Sequence, residues 1–131
     1  ERKLFSDVQA YLTGDFDKGL VVVEGKLIKG VAVAEAESAI REELTKLIDE
    51  PVAEIELERA KNKVESTFEF SEADLSSRAL SLAIAEYMGD VNLVNTEMAR
   101  YTAVTREEIR NAARTVFRNE NASVLHYLSA N

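Results

Sequence analysis

Residues 20–47 read LVVVEGKLIKGVAVAEAESAIREELTKL, and within this stretch the hydrophobic period changes from that of a strand to that of a helix. Leu20, Val21, Val22 and Val23 are apolar and mostly β-branched, and Glu24-Gly25-Lys26-Leu27 continues them, so the segment reads as a strand. Its unbroken apolar start predicts burial on both faces. From Val33 onward Val33, Ala36, Ile40, Leu44 and Leu47 recur every three or four residues, while Glu37, Arg41, Glu42, Thr45 and Lys46 take the opposite face. That is an amphipathic helix, with Glu37–Arg41 and Glu42–Lys46 spaced to pair across one turn.

Working outward, Val8-Gln9-Ala10-Tyr11-Leu12 alternates as a half-buried strand does. Residues 13–19, TGDFDKG, have turn composition and would close a hairpin with the strand at 20–27. Downstream, Pro51 ends the first helix at or before Glu50. A second helix is predicted over residues 54–70, with Leu57, Ala60, Val64 and Phe68 inward and Glu54, Glu56 and Glu58 near its positive end. Ser71, followed by Asp74, predicts a break. Residues 75–88 are apolar nearly all round, which predicts a helix buried on most sides. Gly89 suits the position just past its end, and Asp90 is expected to cap a short helix over residues 91–101. Thr105 with Glu108 forms a capping-box pattern, opening a helix that carries Ile109, Ala112, Ala113, Val116 and Phe117 on one stripe and ends at residues 119–121. Residues 123–128, SVLHYL, read as a last strand that joins the hairpin. The layout is α+β: a small antiparallel-containing sheet, the hairpin plus a C-terminal strand, packed on about five helices.

The 131 residues contain 46% hydrophobic residues, enough for one unit with a core and too many for a disordered chain. No apolar run reaches the length of a membrane span. With no cysteine there is no disulfide framework, thiolate metal site or thiol nucleophile. Twenty-four acids against sixteen bases give a net charge of −8, which argues against affinity for nucleic acid or anionic lipid. The chain opens on Glu1, close to a strand-like pattern, which predicts a piece cut from a longer protein. The compartment is left open by these features.

Few groups could carry chemistry. His126 is the only imidazole, lies in a short apolar segment and has no acid beside it in sequence, so a structural role is favoured over a general base or ligand. A single histidine also excludes the paired-histidine helical zinc motifs. Glu54, Glu56 and Glu58, and Glu107 and Glu108, could act as paired carboxylates if buried together, but helix starts favour acids for electrostatic reasons. Arg106, Arg110, Arg114 and Arg118 fall four apart along one helix; such a row could hold an anion or a polypeptide's carboxylates, and pairing with neighbouring helices is the favoured reading. Gly14, Gly19, Gly25 and Gly30 form no phosphate-binding pattern, and Ser71, Ser76, Ser77 and Ser81 have no triad partner at hand. No catalytic, cofactor-binding or metal residue is assigned.

Four segments in fixed order carry a family resemblance. Glu54-Ile55-Glu56-Leu57-Glu58-Arg59-Ala60-Lys61-Asn62 resembles the EELxrAKn segment of the pitrilysin/insulinase-type zinc peptidases, the family that includes the mitochondrial processing peptidases. Leu82-Ala83-Ile84-Ala85-Glu86-Tyr87-Met88-Gly89-Asp90 resembles the stretch that follows in that family and ends in Gly-Asp. Tyr101-Thr102-Ala103-Val104-Thr105-Arg106-Glu107-Glu108-Ile109 resembles its VT-containing element, and Asn121-Ala122-Ser123-Val124-Leu125-His126-Tyr127 its closing strand. Each motif is short; their order and spacing, over about residues 19–128, make the likeness specific.

The resemblance implies a LuxS/processing-peptidase-like fold and the C-terminal portion of a non-catalytic domain in a larger zinc metallopeptidase. Such domains pair into a chamber that encloses a peptide substrate. The family's zinc motif, HxxEH with a downstream Glu, has no counterpart here, so zinc is expected in the catalytic half of the parent and no cofactor in this chain. In the family's inactive half an R-x-x-x-x-L-x-Y segment contacts substrate; here Leu4 matches, Ser6 stands at the Tyr position and the Arg would precede Glu1. The implied partners are the catalytic domain or subunit and, in the intact protein, a peptide. A bare sheet edge would favour self-association. The alternative is a free-standing α+β interaction module that binds by strand addition or by its arginine row; a self-contained hydrolase would need a constellation the sequence lacks.

Overall fold

The computed structural model describes residues 3–14 and 17–128. They run β1 (Phe5–Leu12), β2 (Val21–Leu27), α1 (Val33–Asp49), α2 (Glu54–Ala73), α3 (Leu75–Tyr87), α4 (Leu93–Ala103) and α5 (Arg106–Val116), followed by a 3-10 turn at Asn119–Asn121. The fold is α+β, as the change of period predicts. The chain divides into two compact units, one of Glu1–Lys46 with Ala122–Asn131 and one of Leu47–Asn121.

In the first unit β1 and β2 form a two-stranded antiparallel sheet with Tyr11 opposite Val22, Ala10 opposite Val23 and Gln9 opposite Glu24. Thr13 ties the base of the connection: its N–H donates to the Leu20 carbonyl at 3.0 Å and its hydroxyl accepts from the Leu20 N–H at 2.8 Å. Asp15 and Phe16 of the predicted turn lie outside the described residues. The register slips between Phe5 and Asp7, leaving Ser6 as the extra residue of a bulge, and its hydroxyl donates to the Lys26 carbonyl at 3.1 Å. Among the described residues of this unit, Leu4 and Ala36 of α1 are buried. Val33, Ile40 and Leu44 line α1 as a half-buried stripe around Ala36, in the predicted phase.

Two expectations for this unit need correction. Val21 is exposed and Val22 and Val23 are only half-buried, so the valine run is not buried on both faces. A two-stranded sheet gives each strand one neighbour, and β-branched composition alone cannot supply the covering layers. Residues 123–128 also form no third strand: among the described residues the segment joins no ladder. Its apolar residues come as the adjacent pairs Val124-Leu125 and Tyr127-Leu128 rather than in strict alternation, so no single face fixes a register.

The second unit is helical, with Leu57, Ala85 and Ala113 buried and α2, α3 and α4 in mutual contact. Helix α2 runs three residues past the predicted end because the break belongs to Asp74, not Ser71. Asp74 Oδ2 accepts from both the Ser77 N–H and the Ser77 hydroxyl at 2.7 Å, capping α3. The Ser71 hydroxyl instead donates to the Phe68 carbonyl at 2.7 Å within the helix. After α3, Gly89 takes φ +93°; its N–H bonds the Glu86 carbonyl at 2.9 Å and the Asp90 N–H the Ala85 carbonyl at 3.1 Å, a complete Schellman motif. Asp90 does not cap α4: its carboxylate accepts from the Asn92 N–H at 2.9 Å in a local turn, and Asn92 is the N-cap. Thr105 and Glu108 make the predicted capping box at α5.

Helix α3 departs most from expectation. Only Ala85 is buried, while Leu75 is 81% and Tyr87 77% exposed. Being apolar all round says that a helix needs cover, not that its own chain provides it. In α5 the inward stripe passes through Ile109, Arg110, Ala113 and Phe117; Ala112 and Val116 face out.

Candidate functional site

His126 acquires the acid partner that its sequence neighbours lack. Its Nε2 lies 3.2 Å from Glu37 Oε2, across 89 positions of chain. A carboxylate only accepts, so the Nε2 proton points at Glu37. The other carboxylate oxygen, Oε1, accepts from Arg41, at 2.9 Å from Nε and 2.8 Å from a terminal guanidinium nitrogen. This pairing across one turn of α1 is the one the sequence predicts. It holds the Glu37 carboxyl below the usual value of 4.5, with the Arg41 hydrogen bond the larger cause and the His126 bond a smaller one. Glu37 thus joins a basic residue one turn along its own helix to an imidazole from the end of the chain. No signal within a local window could have found that contact.

The zinc implied for the parent does not fit these groups. A catalytic zinc takes three protein donors and leaves one open position. Here one imidazole and one carboxylate meet, and the guanidinium on that carboxylate would repel a cation. Among the described residues no group of three histidine, cysteine or acidic side chains converges on a point that could hold a metal.

The arginine row is structural where the bonds are made. Arg114 Nε donates to the Ile48 carbonyl at 3.1 Å, one of the carbonyls that the end of α1 leaves without a helical partner. Arg106 Nε donates to the Val52 carbonyl in the α1–α2 connection, and its guanidinium reaches Glu54 at 3.8 Å. Arg118 Nε donates to the Thr115 carbonyl at the end of α5 at 3.1 Å. Arg110 pairs with Glu107 at 2.9 Å, while its buried Nε has no partner among the described residues. Lys61 of α2 does the same work for α4, donating to the Thr102 carbonyl at 2.7 Å. Arg114, Arg118 and Lys61 thus meet carbonyl-rich helix ends, where both the hydrogen bond and the helix dipole favour a cation, while Arg106 ties down the connection between α1 and α2.

The predicted acid clusters are divided among local tasks. Glu54 faces Arg106, Glu107 faces Arg110, and Glu108 accepts from the Thr105 hydroxyl at 2.7 Å and N–H at 2.8 Å. The last two bonds, the hydroxyl's being the larger cause, hold the Glu108 carboxyl below its usual range. No two of these acids share a buried site. Two clefts mark the helical unit, one over Glu72, Arg78 and Asn95, the other over Leu57, Lys61 and Val104. Ser81 also lines the first and Thr105 the second, where the Thr105 hydroxyl is spent on the Glu108 carboxylate as part of the α5 cap. Ser6, which the sequence resemblance aligns with a tyrosine, has its hydroxyl turned to the Lys26 carbonyl.

The fold has solved counterparts. A crystal structure of a candidate zinc protease from Bordetella pertussis Tohama I superimposes with a TM-score of 0.85 and 24% identity over 98% of this chain and 71% of that one. The inactive peptidase domain of a candidate zinc protease from Bordetella parapertussis matches with a TM-score of 0.81 and 25% identity over 91% of this chain and 64% of that one. A protease from Helicobacter pylori matches with a TM-score of 0.81 and 14% identity over 90% of this chain but 28% of its own. No protein-family model and no curated protein matches the sequence. The 131 residues therefore span part of the length of each neighbour, and their fold is one found in candidate zinc proteases and in an inactive peptidase domain.

Proposed function

We propose that this chain is the C-terminal part of a non-catalytic domain of a pitrilysin-type zinc metallopeptidase. In the parent it would form part of the wall that encloses a peptide substrate and would pack against the catalytic domain or subunit. The observation that carries the reading is the match over 91% of the chain to an inactive peptidase domain. Two features support it: the lone histidine is engaged by Glu37, and three of the four arginines of the row are spent on backbone carbonyls. Zinc belongs to the catalytic half in this reading. The purified chain is expected to hold no stoichiometric zinc and to cleave no unstructured peptide. One tightly bound zinc per chain by elemental analysis would overturn it.

A free-standing interaction module is favoured by a different observation, the exposed apolar residues of α3 and of residues 122–128. The parent reading frame separates the two: an HxxEH motif upstream or in an adjacent gene supports the peptidase reading, and a start codon directly before Glu1 supports the module.

A further inference from the structure

Residues 122–128 belong to the first unit, and all seven are exposed. Among the described residues they make one hydrogen bond or ion pair, His126 Nε2 to Glu37 Oε2 at 3.2 Å. The flanking Leu125 and Tyr127 are 91% and 93% exposed, so apolar burial does little to hold the segment. What attaches it to α1 is a polar contact, and the strength of that contact depends on charge. An imidazole gains or loses its charge between about pH 5 and 8. Charged, it meets the carboxylate as an ion pair. Neutral, it offers an uncharged N–H, or places its proton on Nδ1 and turns a lone pair to the acid.

Glu37 is set to stay ionised through that range. Arg41, one turn along α1, bonds its Oε1 at 2.9 Å and leaves Oε2 to the imidazole. Arg41 and His126 are the two charged groups that act on Glu37, and the Arg41 hydrogen bond is the main cause that holds its carboxyl below the ordinary value of 4.5. Among the described residues no other charged side chain bonds to either partner of the contact. We propose that Glu37 and His126 form a pH-controlled latch, which docks residues 122–128 on α1 while the imidazole is charged and frees them as it loses its proton. Arg41 is a positioning residue that fixes the acceptor on α1 and keeps it charged. The latch loosens as pH rises through about 7, where imidazoles discharge. It is lost again at acid pH, once Glu37 takes up a proton below 4.5. Both partners are partly open to solvent, so the change is one of local order and not of unfolding. The latch rests on contacts within the first unit and not on the parent being a peptidase.

The chain has no cysteine, so Leu128→Cys gives the 131-residue protein a single site for a nitroxide label. Its electron paramagnetic resonance spectrum reads the motion of the segment at any pH. The expected result is motion about twofold slower or more at about pH 6 than at about pH 8. High salt should speed the motion at the lower pH, because the pair is exposed enough to be screened. Glu37→Gln keeps an acceptor without its charge and should give the fast motion at both pH values, with the helical circular dichroism unchanged. His126→Gln should likewise be indifferent to pH. Arg41→Gln should move the acid-side loss of order to higher pH, which a residue that only packs would not do. Equal motion at both pH values, whether slow or fast, would overturn the proposal. So would a pH dependence that survives Glu37→Gln.

Discussion

Arg114 Nε donates to the Ile48 carbonyl at 3.1 Å and so joins the last turn of α5 to the last turn of α1, 66 positions apart in sequence. One bond supplies a partner to a carbonyl that helix geometry leaves open and sets a cation at the negative end of a dipole. Replacing Arg114 by Ala is expected to cost about 1 kcal/mol, the usual net worth of such a bond. In urea the midpoint should fall with the slope unchanged. Arg114→Lys should recover part of the loss, because the charge remains and the planar donor does not. Equal loss in the two variants would mean that the hydrogen bond is not what Arg114 contributes.

Gly89 holds φ +93° at the end of α3, with both Schellman bonds formed beside it. An L side chain in this region costs about 1–2 kcal/mol. Gly89→Ala should therefore lower the thermal midpoint, and Gly89→Asn should do so less, since asparagine tolerates the left-handed region. No heavy atom lies near the position a Cβ would occupy, so the cost is conformational and not steric. A fully tolerated alanine would show that the turn can relax to negative φ.

These contacts divide the molecule into what the sequence makes legible and what it does not. The Gly89 terminus, the Thr105–Glu108 box and the start of α1 at Val33 can be read because each is decided within about four residues. Asp74 outcompetes Ser71 as a cap for an equally local reason: the carboxylate meets both donors of Ser77, whereas the Ser71 hydroxyl satisfies itself on Phe68. The exposure of α3, the failure of residues 122–128 to join a ladder among the described residues, and the meeting of His126 with Glu37 depend on chain far away in sequence. Composition marks a surface or segment as wanting a partner; only the assembled fold says whether this chain provides one. The arginine row lies between these cases. Its spacing shows that four cations share a face; the ends of α1 and α5 and the connection after α1 decide that three of them meet carbonyls.

Acid should destabilise the molecule through three carboxylates. Asp74, Glu37 and Glu108 are all held below their usual values of 3.8, 4.5 and 4.5, by the Ser77, Arg41 and Thr105 hydrogen bonds respectively. A carboxyl with a lowered folded-state value contributes stability that is fully present above its unfolded value and lost as pH falls through the folded one. Stability is therefore expected to be flat from pH 7 to about 5 and to decline below about 4.5, into the range where the folded groups take up protons. Asp74→Asn keeps a capping oxygen but cannot titrate. Urea denaturation at a series of pH values should show a shallower acid decline for this variant than for wild type. An unchanged slope would mean that the cap is not linked to protonation.

The ring of Phe5 lies where a side chain on Gly25 would sit. A Cβ built on Gly25 falls 2.7 Å from both Phe5 Cδ1 and Cε1, well inside the roughly 3.5–4.0 Å of ordinary carbon contact. Phe5 pairs with Leu27, so Gly25 is its diagonal neighbour, and the aromatic ring covers the exposed glycine backbone. Gly25→Ala must move that ring, at a cost of about 1–3 kcal/mol, against about 0.5–1 kcal/mol gained because alanine loses less backbone freedom on folding. The net expectation is a less stable hairpin, read as faster hydrogen exchange of the β1 and β2 amides. In a Phe5→Ala background the clash is gone, and the same Gly25→Ala change should slow that exchange. The reversal of sign is the test, because the two residues form a coupled pair whose interaction a double-mutant cycle isolates. If Gly25→Ala weakens the hairpin equally in both backgrounds, the ring is not what the glycine accommodates, and the β2 backbone at residue 25 becomes the place to look for strain.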